Sequence, residues 1–267
     1  RTVGKPGDES MKVVILAGGL GTRISEETTI KPKPMVEIGD EPILWHIMKI
    51  YSSQGFSDFI ICAGYKQHMI KDYFVNYMYD HVDLEVDLNK KQTKVLGEHL
   101  EDWKITIVDT GKFTMTGGRI KRISKYVNNE AFMLTYGDGL ANINLRALLK
   151  THSESKSYTT VTAVQPSGRF GSLDIDESGQ VVKFQEKPPG DGFWVNGGYY
   201  VMEPEIFDFI EGDQTIWEDK PMSQLAAERK LNAYKHNGFW RPMDTMSDKR
   251  FLEGLWASGN SPWKVWK

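Results

Sequence analysis

The stretch V-V-I-L-A-G-G-L-G-T-R, residues 13–23, with P-K-P-M at residues 32–35, decides the fold. Residues 13–16 form an apolar, β-branched run with the length of a buried parallel strand. The following loop, residues 17–21, carries little side-chain bulk, so its backbone N–H groups can approach a phosphate closely. The stretch therefore predicts a strand that ends in an anion-binding loop.

Two cations accompany this loop. Arg23 has a planar fork suited to phosphate oxygens. Lys33 stands between two prolines, so its backbone is stiff and its ammonium is well placed. Together with the loop they predict a polyanion site at the C-terminal end of a sheet strand.

The glycines alone also fit a tight turn, and the two common phosphate motifs do not match. A Walker loop closes with Gly-Lys-Ser/Thr, whereas Thr22-Arg23 follows the last glycine here. The dinucleotide fingerprint needs a third glycine, which is missing, although Glu37 lies at a tolerable distance. A dinucleotide-binding dehydrogenase is therefore disfavoured.

Composition narrows the class of protein. The 267 residues carry a net charge of −3, without the basic excess of nucleic-acid-binding proteins. No apolar run approaches the ~20 residues of a membrane span. The single cysteine, Cys62, excludes an intrachain disulfide, is expected to pack in a strand, and fits a reducing compartment. We expect a cytoplasmic protein whose residues 1–10 are expression-derived and precede the initiator, Met11.

The chain then alternates strand and helix patterns, which predicts a parallel sheet. Further strands are expected at 58–63, 131–136, 159–164, 194–202 and 231–236, and a hairpin at 170–176 and 180–186. Helices are expected at 41–54, 67–77, 120–127, 144–153, 205–210, 222–230 and 248–257. We predict one α/β domain, a mixed, mostly parallel sheet flanked by helices, with a smaller C-terminal lobe.

Residues 81–111 interrupt this alternation. The segment is polar, with strand-like pieces at 84–88 and 105–108. We interpret it as a surface excursion or a subunit contact.

Two aspartates stand at the ends of predicted elements. Asp138 lies between glycines after a buried strand, where it fits a Mg²⁺ ligand or a turn residue. Asp244 precedes Thr245 and a helix, where it fits a second Mg²⁺ ligand or a helix N-cap. The histidines show no metal-ligand spacing, which argues against a zinc site.

Two later motifs are candidates for a sugar phosphate. Lys187 suits a phosphate and Glu186 suits sugar hydroxyls, although both fit a solvated strand end. The sequence Asn196-Gly197-Gly198 interrupts an apolar strand, which indicates either close approach of a ligand or a β-bulge.

As an ordered set, these motifs resemble the sugar-1-phosphate nucleotidylyltransferases. The set is L-A-G-G-L-G-T-R, P-K-P-M, Y-G-D-G, E-K-P, V-N-G-G-Y-Y and W-x-x-x-D-T, and it extends from Met11 to the C-terminus. The segment T-G-K-F-T-M-T-G-G-R, residues 110–119, resembles the glucose-1-phosphate cytidylyltransferases. It lacks the Pro-Gly loop usual in thymidylyl- and uridylyl-transferring relatives, which favours CTP. One departure is Arg23-Ile24-Ser25-Glu26, where the family often has R-L-x-P.

The resemblance implies a Rossmann-like fold of the nucleotide-diphospho-sugar transferase type, with a nucleotide half at about 11–140 and a sugar half at about 141–267. It implies cytidylyl transfer from CTP to glucose 1-phosphate by direct, Mg²⁺-assisted attack. The residues implied for CTP are Leu16, Ala17, Gly18, Gly19, Leu20, Gly21, Thr22, Arg23, Lys33, Thr114 and Arg119. Those implied for the sugar phosphate are Glu186, Lys187, Asn196 and Gly197. Asp138 and Asp244 would hold Mg²⁺, and Arg23, Lys33 and Lys187 would act in catalysis.

Other functions stay open at this point. The same fold could use TTP or UTP, act as a related glycosyltransferase, or serve as a non-catalytic regulatory subunit that binds nucleotide sugars. The resemblance also implies a homo-oligomer and a role in lipopolysaccharide O-antigen biosynthesis through CDP-glucose and dideoxysugars. No nucleic-acid or membrane partner is expected.

Overall fold

The computed structural model describes residues 11–21, 24–97, 101–166, 172–185 and 193–266. In this part of the chain, strands β1 to β15 are Lys12–Ala17, Glu37–Ile38, Glu41–Pro42, Asp58–Ala63, Asp83–Asp87, Gln92–Leu96, Lys104–Asp109, Phe132–Tyr136, Gly139–Ala141, Thr159–Val164, Ser172–Ile175, Val181–Gln185, Val195–Met202, Leu231–His236 and Trp240–Pro242. Helices α1 to α7 are Ser25–Thr28, Ile43–Ser52, Gln67–Asp80, Thr116–Arg122, Leu145–Glu154, Lys220–Ala227 and Met246–Ala257. Short 3₁₀ helices span Lys33–Met35, Ser124–Tyr126 and Pro204–Phe209.

The central sheet, within the described residues, has seven strands in the order β14-β10-β13-β8-β1-β4-β7. The pairs β8–β1, β1–β4, β4–β7 and β10–β14 are parallel. Strand β13 is antiparallel to both of its neighbours, β8 and β10. The expected mixed, mostly parallel α/β sheet is confirmed.

Both faces of this sheet are covered, which explains why the central strands are apolar without interruption. Successive side chains of a strand point to opposite faces. In β1, Val13 and Ile15 pack in the core that includes α2 and α5, and Val14 packs in the opposite core, with Ile120 of α4 and Leu225 of α6. Cys62 is fully buried in this second core, as expected of a packing residue, and burial raises the pKa of its thiol to about 12.

The topology brings several loops to one edge of the sheet. Parallel strands β1 and β8 end there, at Ala17 and Tyr136. Because β13 runs in the opposite direction, Asn196 and Gly197, near its start, lie at the same edge. The carboxyl edge of a parallel sheet is where open α/β folds bind ligands.

Some expected boundaries are wrong. Glu41 and Pro42 form a short strand, and α2 begins only at Ile43. Helix α4 begins at Thr116, not Ile120, because Gly117 and Gly118 belong to it. A Cβ at Gly118 would lie 2.5 Å from the Cα of Asp213, so only glycine permits this packing.

The segment 81–111 contains the hairpin β5–β6, of which only the first strand was expected, and then β7. Leu88 is 84% exposed and Val86 is 56% exposed, so the hairpin lies on the surface. Its role as a subunit contact stays a prediction. Among the described residues, no helix has the length and apolar character needed to cross a membrane.

Candidate active site

The glycine loop after β1 is fixed by a buried arginine. Arg119 donates from Nη2 to the Gly18 carbonyl at 2.9 Å, and from Nη1 to Thr110 Oγ1 and the Gly111 carbonyl, both at 2.8 Å. A Cβ at Gly18 would lie 2.0 Å from Arg119 Nη1, which explains the glycine. The side chain of Arg119 thus joins the loop after β1 to the end of β7.

Arg119 also brings positive charge to the wall of the site. Burial lowers the pKa of this guanidinium below its ordinary value, with a further decrease from Arg122 and an opposing effect from nearby Asp109. A guanidinium nevertheless stays protonated in proteins. A charged group that is 96% buried beside a cavity favours an anionic ligand.

A cavity of about 400 Å³ opens beside the glycine loop, and we call it the nucleotide cavity. Most of the described residues expected to bind the nucleotide line it: Leu16, Ala17, Gly18, Gly19, Gly21, Lys33, Thr114 and Arg119. Leu20 does not line it, and its side chain is 41% exposed. The structure therefore brings two distant segments of the chain, the glycine loop and residues 114–119, to the same cavity.

Lys33 lies between the two aspartates. Its Nζ donates to Asp138 Oδ2 at 2.6 Å and to Asp244 Oδ1 at 2.7 Å. Burial alone would lower the pKa of Lys33, but the charges and hydrogen bonds of Asp138 and Asp244 outweigh it and raise that pKa above its ordinary value. We call these three residues the Lys33 centre.

A strand pair that the sequence did not reveal places Asp244 there. Strand β15 pairs with β9, with Pro242 opposite Gly139, and Met243 N donates to the Asp138 carbonyl at 2.8 Å. Asp244 is not the N-cap of α7. Thr245 caps the helix in a capping box with Asp248, which leaves the Asp244 side chain directed at Lys33.

A second cavity, of about 210 Å³, is bordered by Asp138 and Asp244 of the Lys33 centre, and we call it the sugar cavity. Its lining includes Asn196, Gly197, Trp240, Asp138 and Asp244. The pairing of β10 with β13 shifts register between Val161 and Ala163. The expected β-bulge is therefore present, and the residues of the interrupted strand also line a cavity.

Several lining residues were missed by sequence reasoning, among them Tyr136 and Glu218. Tyr136 lines both cavities, and Glu218 lines the nucleotide cavity. The Tyr136 hydroxyl donates to Glu218 Oε1 at 2.5 Å. Burial raises the pKa of Tyr136, with further increases from Tyr200 and Glu218, so the phenol stays protonated. Tyr136 is the first residue of the quoted Y-G-D-G motif, but Glu218 belongs to no motif.

Four expected site residues lie outside the described residues. They are Thr22, Arg23, Glu186 and Lys187.

Comparisons with known proteins identify the family of the chain. The family model described as "Nucleotidyl transferase" matches residues 12–245. The chain belongs to the nucleotidyl transferase family. This confirms the resemblance inferred from the motifs, and the matched region contains both cavities and the Lys33 centre.

Individual members of the nucleotidyl transferase family are also similar. The glucose-1-phosphate cytidylyltransferase of Salmonella typhi is 53% identical over 258 residues, covering 96% of this chain and all of that protein. The probable glucose-1-phosphate cytidylyltransferase of Bacillus subtilis is 44% identical over 257 residues, covering 96% of this chain and all of that protein. The crystal structure of HddC from Yersinia pseudotuberculosis has a TM-score of 0.64 at 24% identity, covering 92% of this chain and 99% of that one, and it shows the shared fold.

Proposed function

We propose that this nucleotidyl transferase transfers the cytidylyl group of CTP to glucose 1-phosphate, giving CDP-glucose and pyrophosphate. The observation that carries the proposal is the Lys33 centre, which borders both cavities and so offers one place where two anionic substrates meet. The 53% identity to a glucose-1-phosphate cytidylyltransferase over the whole of that protein supports these two substrates.

The assignment of residues follows the two cavities. The glycine loop, Thr114 and Arg119 bind CTP in the nucleotide cavity, and Asn196 and Gly197 bind glucose in the sugar cavity. Arg23, Glu186 and Lys187 keep the roles that the family resemblance implies, on the phosphates and the sugar. On this assignment residues 11–140 supply most of the nucleotide half, and residues 141–267 most of the sugar half.

The donor set of the Lys33 centre fits Mg²⁺. Asp138 and Asp244 place oxygens of two carboxylates against a single cation, the Lys33 ammonium. The described residues hold no group of three or more His, Cys, Asp or Glu that suits a metal. This is compatible with Mg²⁺, which is usually held by one or two carboxylates, with phosphate oxygens and water completing its shell. When bound, Mg²⁺ neutralises phosphate charge and orients the groups that react.

The protein's own residues need only to position the two substrates and to neutralise their negative charge. The phosphate of glucose 1-phosphate is largely dianionic at neutral pH, since its second pKa is about 6, so no general base is required. The obstacle is repulsion between two anions, which the cations Lys33, Arg23 and Lys187 reduce. The sugar phosphate oxygen attacks the α-phosphorus of CTP and pyrophosphate leaves, in line and without a covalent enzyme intermediate.

The test is a pyrophosphate-release assay with glucose 1-phosphate, Mg²⁺ and each of CTP, UTP, TTP and GTP. We expect release with CTP and CDP-glucose as the product. Faster pyrophosphate release with UTP or TTP would contradict CTP as the substrate and identify the preferred nucleotide instead. Nucleotide-sugar binding without any release would support the regulatory alternative.

We further propose that the protein is a cytoplasmic homo-oligomer that supplies CDP-glucose for dideoxysugars of a surface polysaccharide such as an O-antigen. Support for the pathway is the family resemblance. Support for the oligomer includes the exposed apolar side chains of the β5–β6 hairpin. Light scattering of the whole protein and of a variant with a shortened β5–β6 hairpin tests this subunit contact. An unchanged size in solution would contradict a role of the hairpin in the oligomer.

A further inference from the structure

A chain of hydrogen bonds connects the nucleotide cavity to the sugar cavity. At one end, Thr116 Oγ1 donates to Glu218 Oε2 at 2.6 Å. Glu218 Oε1 accepts from the Tyr136 hydroxyl at 2.5 Å, and that hydroxyl lies 2.8 Å from the Tyr200 hydroxyl. At the other end, Asn196 Nδ2 donates to the Tyr200 hydroxyl at 2.5 Å and to the Tyr136 hydroxyl at 3.1 Å.

The chemistry of the groups fixes the direction of this chain. An ionised carboxylate only accepts hydrogen bonds, so the Tyr136 proton points to Glu218. The Tyr136 oxygen then accepts from the Tyr200 hydroxyl and, over a longer distance, from Asn196 Nδ2. The Tyr200 oxygen in turn accepts from the Asn196 amide. Glu218 is therefore the final acceptor of a chain that leads back through two phenol groups to the Asn196 amide.

The hydrogen bond at the carbonyl oxygen of the Asn196 amide is consistent with this orientation. Gly198 N donates to Asn196 Oδ1 at 2.9 Å, so the carbonyl side is fixed by the bulged strand and the NH₂ side by the phenols. At the other terminus, the Trp217 backbone N–H donates to Thr116 Oγ1 at 2.9 Å. Both ends of the chain are thus tied to the backbone.

We propose that Glu218 is a positioning residue that fixes the Asn196 amide in the sugar cavity through the hydroxyls of Tyr136 and Tyr200. This inference rests on the proposed function, because it assigns Asn196 to the sugar. It adds that the segment bearing Glu218, which contacts Thr116 of the nucleotide cavity, also controls the affinity for glucose. The two cavities are then coupled by this hydrogen-bond chain, in addition to the Lys33 centre.

The test measures the contribution of the sugar to binding, without turnover. Calorimetry gives Kd for CDP and for CDP-glucose in the presence of Mg²⁺. The Kd for CDP divided by the Kd for CDP-glucose reports how much the contacts to glucose add to binding. We expect Glu218→Ala to reduce this ratio about fivefold, the effect of one net hydrogen bond. Glu218→Gln should restore most of it, since the amide oxygen accepts from Tyr136 and its NH₂ donates to Thr116.

A double-mutant cycle identifies the route. Tyr136→Phe removes the hydroxyl that links Glu218 to Asn196, so Glu218→Ala in that background should reduce the ratio no further. The matched control is Glu211→Ala, on the same segment, whose carboxylate pairs with Lys220 at the surface. Additive effects of Glu218→Ala and Tyr136→Phe, or an unchanged ratio in Glu218→Ala, would overturn the coupling. Equal wild-type Kd values for CDP and CDP-glucose would instead overturn the sugar assignment and, with it, this inference.

Discussion

Lys33 Nζ lies 2.6 Å from Asp138 Oδ2, although 105 residues separate them in the chain. The ammonium also contacts Asp244, so one cation compensates two carboxylates at the edge of the sheet. Two negative side chains at such close range need a shared cation. In the proposed mechanism the same pair would attract a divalent ion when anionic substrates bind, and Lys33 would then be available for a phosphate.

Replacing Lys33 by alanine should abolish most activity. The variant loses a cation that offsets repulsion between the two substrates, and we expect kcat to fall by two or more orders of magnitude, as for other preorganised charges. The control is Lys31→Ala, which removes a neighbouring cation that pairs with Glu37 at 2.8 Å. Steady-state kinetics and a thermal unfolding curve are the measurements. Near-normal kcat in Lys33→Ala would remove this residue from the mechanism.

Asp138→Asn and Asp244→Asn should each weaken the apparent affinity for Mg²⁺. An amide keeps the shape of the side chain but not its charge and is a weaker ligand for Mg²⁺. We therefore expect the Mg²⁺ concentration for half-maximal activity to rise about tenfold or more, the size of effect known for lost partners of metal ligands. Titration of activity with MgCl₂ measures it. Unchanged Mg²⁺ dependence in both variants would place the metal elsewhere.

Gly18→Ala should destabilise the protein, whereas Gly19→Ala should not. A Cβ at Gly18 would lie 2.0 Å from Arg119 Nη1, but a Cβ at Gly19 would have no atom within 4 Å. Overpacking of this kind costs about 1–3 kcal/mol of unfolding free energy. Urea denaturation of both variants gives the comparison. Equal stability of the two would show that the Arg119 contact does not hold the loop.

Arg119→Lys should weaken CTP binding and lower stability. Lysine has no planar guanidinium, so it cannot donate hydrogen bonds to the carbonyls of Gly18 and Gly111 and to Thr110 Oγ1 at the same time. We expect KM for CTP to rise about tenfold, roughly one to two lost hydrogen bonds. Arg122→Lys is the matched control, because Arg122 forms an exposed ion pair with Asp213 and should change little. An equally small effect at Arg119 would contradict its structural role.

His46 should make stability decline as the pH falls below 6.5. Burial lowers the pKa of this histidine from 6.5 to about 4, despite its hydrogen bond to the Ile38 carbonyl. Between these values the unfolded chain binds the proton more readily, so the free energy of unfolding decreases by about 2 kcal/mol from pH 7 to 5. His46→Gln should remove this part of the pH dependence in urea denaturation. An identical pH profile in the variant would exclude His46 as its source.

Much of the fold could be predicted because local pattern and tertiary structure agree. The strands at Asp58–Ala63, Thr159–Val164 and Leu231–His236 have the predicted bounds. The first two are apolar or β-branched runs buried between neighbouring strands, so the residue pattern indicates them directly. The third is an edge strand in which apolar and polar residues are mixed. The start of helix α4 was predicted too late. Its glycines allow close packing against Asp213 and Thr215, which helix propensity does not reveal.

Several residues that line the two cavities could be predicted from motifs, but their assembly could not. The glycine loop, Lys33 and Asp138 belong to motifs that can be read locally. The convergence of Asp244 on Asp138 depends on pairing of β15 with β9, which joins residues about a hundred positions apart. Glu218 enters the site only through hydrogen bonds to Thr116 and Tyr136, and its sequence neighbourhood carries no corresponding signal.

The position of a bound divalent cation tests the central claim most directly. In a crystal of the protein with CTP and Mn²⁺, anomalous scattering locates the metal independently of the refined coordinates. The account predicts a peak ligated by the carboxylates of Asp138 and Asp244, with the Lys33 ammonium moved onto a phosphate oxygen of CTP. A peak that neither aspartate ligates, or Lys33 still bound to both aspartates beside CTP, would contradict it.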